Sequence, residues 1–246
     1  MISRLCLAAV ALCCAFPALA LLIRADRDDA EYLELATRYA SSVALNAPGG
    51  EGVLIAPRWV LTSAHRAKAL QDRTPSASLA IAGRQHAVES VFIHPEWKPG
   101  GGSDIALVFL TEPVAGVQPT PPYRESDEAG KGVVIVASGA TGKLGGPPSA
   151  QRADGSKRAA INTVDRATPT TLGLRVKSLE EASDLQGALV AAETGAPAYI
   201  QTRDGLFVAG IAQQAEGEWE TYARVSAFAE WIDATIWKVA TSPKAR

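Results

Sequence analysis

The stretch "GVLIAPRWVLTSAHRA", Gly52 to Ala67, says most about the fold. Two short apolar runs rich in Val, Leu and Ile flank Pro57 and Arg58, as expected of two strands joined by a tight connection. His65 comes directly after the second run, at the start of a turn. A lone histidine in such a place is more often structural than catalytic, so its role has to be judged from the rest of the chain.

Similar short runs continue from residue 41 onward, separated by Gly, Pro, Asn and charged turns. This spacing is typical of an antiparallel barrel or sandwich. Residues 111–132, "TEPVAGVQPTPPYRESDEAGKG", interrupt the series with prolines and polar residues, which indicates a linker between two halves. We therefore expect an all-β protein with an N-terminal barrel at about 41–118 and a C-terminal barrel at about 130–225.

Helical spacing of apolar residues occurs at both ends of this β-rich region. Near the start, four residues predict a short surface helix: Tyr32, Leu35, Ala36 and Tyr39. At the end, "SAFAEWIDATIWKVA" predicts a C-terminal α-helix at about 226–240, with Ser226 as its N-cap.

Composition excludes several classes of protein. With 246 residues, 47% of them hydrophobic and 20% charged, the chain is long and apolar enough to bury a core. Its 24 Lys and Arg against 26 Asp and Glu leave a net charge of −2, so there is no cationic field to hold a phosphate backbone. Nucleic acid is not an expected partner.

Residues 1–20 have the pattern of a signal peptide. Arg4 supplies the basic start, Leu5 to Phe16 an apolar segment, and Ala18-Leu19-Ala20 a small-residue cleavage site. The mature domain would then be residues 21–246, beginning at Leu21 and lying in the periplasm or the medium.

The alternative is an uncleaved anchor, because Leu5 to Ile23 is 19 residues without a charge, about enough to span a bilayer. All three cysteines lie at positions 6, 13 and 14, so the mature domain could form no disulfide. An exported domain without disulfides suits a bacterial cell envelope better than an animal secretion.

A second segment, "IHPEWKPGGGSDIALVFLTEPV", places Asp104 before a strongly apolar run. An isolated aspartate there is usually a turn residue. Together with the stretch ending in Ala64-His65, however, Asp104-Ile105-Ala106-Leu107 resembles the histidine and aspartate motifs of the trypsin/chymotrypsin peptidase family. "GLFVAGIAQQ" and "YARVSAFAEWIDATI" are similar to that family's final strand and helix.

The resemblance covers nearly the whole mature chain and implies a chymotrypsin-like fold of two six-stranded antiparallel β-barrels with a C-terminal α-helix. It implies that His65 is the general base and that Asp104 orients the imidazole and stabilises its charged form. In "AAETGAP", residues 191–197, Thr194 stands in the place of the nucleophilic serine. The spacings, 104 − 65 = 39 and 194 − 104 = 90, follow the family's order of His, Asp and nucleophile.

The sequence departs from the family around this threonine. The resemblance assigns the oxyanion hole to the backbone N–H groups of Ala192 and Thr194, but Ala192 and Ala196 replace glycines, and Glu193 replaces an aspartate. Threonine can act as a nucleophile, but its β-branch restricts χ1 and adds a methyl group. An active arrangement would place Thr194 Oγ1 within about 3.2 Å of His65 Nε2.

The resemblance assigns the substrate pocket to Ala188 and to Gln213-Gln214-Ala215. Ala188 stands where trypsin-like enzymes carry an aspartate, so a preference for Lys or Arg is not supported, and an apolar or small side chain is expected. His86 and His94 have no carboxylate or cysteine partners at metal-ligand spacing, so no metal or other cofactor is expected.

The sequence leaves two functions open. The first is an exported, serine-type endopeptidase that cleaves protein or peptide substrates through an acyl-enzyme on Thr194. The second is a catalytically inactive pseudopeptidase that keeps the cleft as a binding or scaffold surface. In either case we expect a monomer without membrane attachment once the leader is removed.

Overall fold

The computed structural model describes residues 19–45, 50–74, 76–144, 152–189 and 194–242. In chain order the elements are β1 (Leu19–Ile23), α1 (Asp29–Ala36), β2 (Ser42–Ala44), β3 (Glu51–Ala56), β4 (Trp59–Thr62), α2 (Ala64–Gln71), β5 (Ser78–Ile81), β6 (Arg84–Ile93), β7 (Ala106–Leu110), β8 (Gly132–Lys143), β9 (Arg152–Ala167), β10 (Thr171–Arg175), β11 (Gly187–Leu189), β12 (Pro197–Gln201), β13 (Leu206–Glu216), β14 (Trp219–Arg224) and α3 (Ala229–Thr241).

The first barrel closes in the order β2-β3-β4-β7-β6-β5, with every neighbouring pair antiparallel. Its interior is filled by aliphatic side chains from several strands, including Val43, Leu54, Val60, Leu79 and Val108. These β-branched and leucine side chains suit the pleated, half-buried surface of a strand.

The second barrel is the ring β8-β12-β13-β14-β10-β9, which the antiparallel pairing of β8 with β9 closes. Strand β1 lies outside this ring, parallel to β8 and antiparallel to β11. Two closed six-stranded antiparallel barrels and a C-terminal helix confirm the predicted fold class.

A shared core joins the two barrels and α3. It combines Leu61 and Leu107 of the first barrel with Tyr199 and Ile211 of the second, and Ile232 of α3 is fully buried in the same cluster. Burial of apolar surface is the main favourable contribution to such a contact. The barrels are therefore held in a fixed mutual position, which the cleft between them requires.

The predicted N-terminal helix is confirmed as α1, although it ends at Ala36 and does not include Tyr39. Asp28 caps it by accepting the backbone N–H of Ala30, and Glu31 completes a capping box. Tyr32 is fully buried on its inner face.

The predicted N-cap of the C-terminal helix is wrong. Ser226 lies inside a 3₁₀ turn, Val225–Phe228, that precedes α3. Its hydroxyl instead donates a 2.6 Å hydrogen bond to the buried carboxylate of Glu128. The Ser226 side chain is therefore bonded to a residue distant in the sequence and does not cap the helix.

The predicted leader, residues 1–20, lies outside the described residues except for its last two positions, which belong to β1. Leu21 and Ile23 of this strand are buried in the second barrel's core. Within the described ranges, no helix is long and apolar enough to cross a membrane.

Candidate active site

His65 and Asp104 meet because β4 and β7 are paired. Thr62, the last residue of β4, lies opposite Ala106, the first residue of β7. His65 follows the end of β4 as the second residue of α2, and Asp104 precedes β7. The antiparallel register therefore brings two residues that are 39 positions apart to the same edge of the first barrel.

The Asp104 carboxylate is anchored by the backbone of the histidine turn. Its Oδ1 accepts the backbone N–H of His65 at 2.7 Å, and the residue is 8% exposed. Burial raises the pKa of Asp104, while the hydrogen bonds from the backbones of His65 and Ala64 and the charge of Arg66 oppose that rise. A buried acceptor is thus fixed beside the histidine.

The backbone before Asp104 is strained. Ser103 has a φ of +58°, which is uncommon for a residue other than glycine, and its carbonyl accepts the N–H of Ile105 at 2.8 Å. This tight turn centred on Asp104 leads directly into β7.

Thr194 reaches the same place from the second barrel. Its carbonyl accepts the N–H of Glu51 at 3.2 Å, and the next residue, Gly195, donates its N–H to Ala212 of β13 at 2.7 Å. Gly195 has a φ of +96°, and a Cβ there would lie 2.0 Å from the Glu51 carbonyl oxygen. Only glycine fits, which explains why this position matches the family motif although its neighbours do not.

The Thr194 hydroxyl is held by an arginine. Arg66 Nε donates to Thr194 Oγ1 at 2.5 Å. Among the described residues, no hydrogen bond joins Thr194 Oγ1 to the His65 imidazole, nor the imidazole to the Asp104 carboxylate, and the His65 side chain is exposed. The contact expected of an active arrangement is therefore not formed.

One cleft of about 450 Å³ brings the three predicted catalytic side chains together with two of the four predicted pocket residues. Its lining comes from both barrels: His65, Trp97, Gly100, Gly101, Asp104, Thr194, Gln213 and Gln214. Among the described residues, the buried amide nitrogen of Gln213 has no hydrogen-bond partner.

The other two predicted pocket residues, Ala188 and Ala215, line a second cavity of about 320 Å³. Its walls include Leu189 and Glu220, a residue that is 1% exposed. Glu220 accepts the N–H of Leu189 at 2.5 Å and the hydroxyl of Tyr222 at 2.8 Å, and burial raises its pKa to about 7. One titratable residue, Glu220, therefore lies among the apolar residues that line this cavity.

Sequence reasoning missed Arg66 and Glu220. Arg66 directly follows His65, but nothing in the sequence indicated that its side chain turns toward Thr194. Glu220 shares the buried face of β14 with Tyr222, so a charged residue at an inward position was the signal. Ala192, assigned to the oxyanion hole, lies outside the described residues.

The other two histidines lie on β6 or directly after it. The ring of His94 packs edge-on against Phe228 and Trp231, and burial lowers its pKa. His86 lies on β6. Within the described part of the chain, no group of three or more His, Cys, Asp or Glu could hold a metal ion.

Two closed barrels with a histidine, an aspartate and a hydroxyl residue at their junction define the architecture of a chymotrypsin-like peptidase. A comparison with protein families agrees, because the family described as Trypsin matches residues 34–232. The chain therefore belongs to the trypsin family. No curated protein matches the chain.

Proposed function

We propose that this protein is an exported endopeptidase in which Thr194 replaces serine as the nucleophile. The observation that carries the proposal is the convergence of His65, Asp104 and Thr194 on one cleft between the barrels, with the Asp104 carboxylate anchored to the histidine turn. A fold alone does not define an activity, but these three groups, gathered on one cleft, are of the kinds that acyl transfer uses. Export rests on the leader sequence, residues 1–20.

In this mechanism Thr194 Oγ1 attacks the carbonyl carbon of the substrate peptide bond, and the hydroxyl proton passes to His65 Nε2. The C–N bond then breaks, and the leaving amine takes that proton. Water hydrolyses the threonine ester by the same route, which restores the hydroxyl and releases the acid. Asp104 stabilises the charged imidazole while the proton is held there.

Turnover is expected to be slow. The hydroxyl must leave its contact with Arg66 and reach His65 before attack, and the methyl group of threonine restricts that movement. A displacement of about 1 Å from the productive geometry can cost on the order of a hundredfold in rate.

The second cavity supports a proposal about the substrate side chain. Ala188 and Leu189 line it together with Glu220, a buried residue that carries a carboxylate. Such a cavity suits a side chain with an apolar stem and a hydrogen-bond donor at its end, because a donor would pair with the carboxylate. A panel of peptide substrates differing at one side chain tests this preference.

A second candidate function is a pseudopeptidase that binds peptides in the cleft without cutting them. The hydrogen bond from Arg66 to Thr194 favours it, because that contact occupies the hydroxyl that catalysis would use. The same cleft would then serve for binding alone.

Labelling by a fluorophosphonate separates the two functions. Attack on phosphorus forms an Oγ1–P bond, releases fluoride and passes the hydroxyl proton to His65, so the adduct reports an activated nucleophile. Intact mass should show one adduct on the parent protein and on His86→Ala, and none on His65→Ala or Thr194→Ala. His86 is a matched control because it lies on β6 and does not line the cleft.

The remaining outcomes favour the pseudopeptidase. Labelling of Thr194→Ser alone would show that the scaffold is competent and that threonine prevents the reaction. If neither the parent protein nor Thr194→Ser is labelled, although both are folded, the endopeptidase proposal is refuted.

A further inference from the structure

Arg66 is held in place from both ends. Its backbone N–H donates to the side chain of Ser63, the N-cap of α2. Its aliphatic stem lies across Gly50, where an added Cβ would be 2.8 Å from Arg66 Cγ and Cδ. A side chain at position 50 would therefore displace the arginine, so this glycine makes room for the stem.

The far end of the side chain meets the candidate nucleophile. The 2.5 Å hydrogen bond from Nε to Thr194 Oγ1 is charge-assisted and therefore stronger than one between neutral groups. Because threonine has few staggered χ1 positions, fixing Oγ1 fixes the methyl group as well. Arg66 therefore selects one rotamer of Thr194, in which the hydroxyl is not bonded to His65.

We propose that Arg66 is a positioning residue that holds the Thr194 hydroxyl away from His65 and so keeps the cleft in a resting state. The proposal rests on the proposed function, because it names the contact that restrains the nucleophile. Arg66 does not act on substrate. It acts through the rotamer of Thr194.

Arg66→Met tests this, since methionine keeps an unbranched stem over Gly50 and removes every donor. We expect fluorophosphonate labelling at Thr194 to become about 10- to 100-fold faster, the range set by the loss of one charge-assisted hydrogen bond. Removing a positive charge beside a developing alkoxide would by itself slow labelling, so an increase identifies the restraint. Lys68→Met is the matched control, because Lys68 lies on the same helix and pairs with Asp72. Its rate should equal the parent's.

A second measurement does not depend on reactivity. Three-bond NMR couplings to the Thr194 methyl carbon report χ1, and Arg66→Met should change them while Lys68→Met does not. Unchanged couplings, or labelling that stays equal or falls in folded Arg66→Met while the parent is labelled, would overturn the positioning role. If χ1 changes but no variant is labelled, the positioning role stands and the endopeptidase proposal fails.

Discussion

The buried carboxylate of Glu220 makes a quantitative prediction about stability. It is 1% exposed, and its two hydrogen bonds come from the N–H of Leu189 and the hydroxyl of Tyr222. Burial raises its pKa from 4.5 to about 7, because the charged form is poorly solvated there. Glu220→Gln keeps the shape and an acceptor oxygen for the N–H of Leu189, and it removes the titration.

The direction in which the free energy of unfolding changes with pH follows from proton binding. Because the pKa of Glu220 is higher in the folded than in the unfolded state, the folded protein binds more protons between these two values. The protonated Glu220 carboxyl group therefore contributes stability that is fully present below about pH 4.5 and is lost as pH rises through about 7. A difference of 2.5 pKa units corresponds to about 3 kcal/mol.

Urea unfolding of both chains at several values between about pH 4.5 and pH 8 measures this difference. Glu220→Gln should be close to the parent in stability at the acid end and more stable by about 3 kcal/mol at the alkaline end. Glu218→Gln is the matched control, because Glu218 is exposed in the same β13–β14 hairpin. A difference between parent and Glu220→Gln that is constant across the range would refute the reasoning.

Two further predictions concern positions that build the site and its scaffold. Gly195→Ala should cost more than about 3 kcal/mol in urea unfolding, since its Cβ would meet the Glu51 carbonyl at 2.0 Å. Gly217→Ala, also at positive φ but in open space, should cost about 1 kcal/mol, and equal losses for the two would contradict the steric argument. Arg158→Met should cost about 3 kcal/mol, because the buried guanidinium pairs with Asp29 at 2.6 Å and with one further carboxylate. A neutral effect on the urea midpoint would show that this ion pair does not stabilise the fold.

Much of the fold could be predicted from the sequence because local chemistry decides it. Short β-rich runs broken by glycine and proline indicated two barrels, and the helical spacing that includes Tyr32 indicated α1. The start of α3 could not be placed in the same way. Ser226 has the chemistry of an N-cap, but it donates instead to Glu128, which lies 98 positions away in the chain.

For the candidate site, too, the sequence and the tertiary structure determined different things. The sequence by itself determined the residue types: a histidine after an apolar strand, an aspartate before one, and a threonine in place of serine. Only the tertiary structure decided their contacts, because the partner of each side chain comes from another part of the chain. The Asp104 carboxylate is bonded to the backbone of His65, 39 positions away, and the Thr194 hydroxyl to Arg66, 128 positions away. The first contact depends on strand pairing within one barrel and the second on packing between the two barrels, and residue order alone specifies neither.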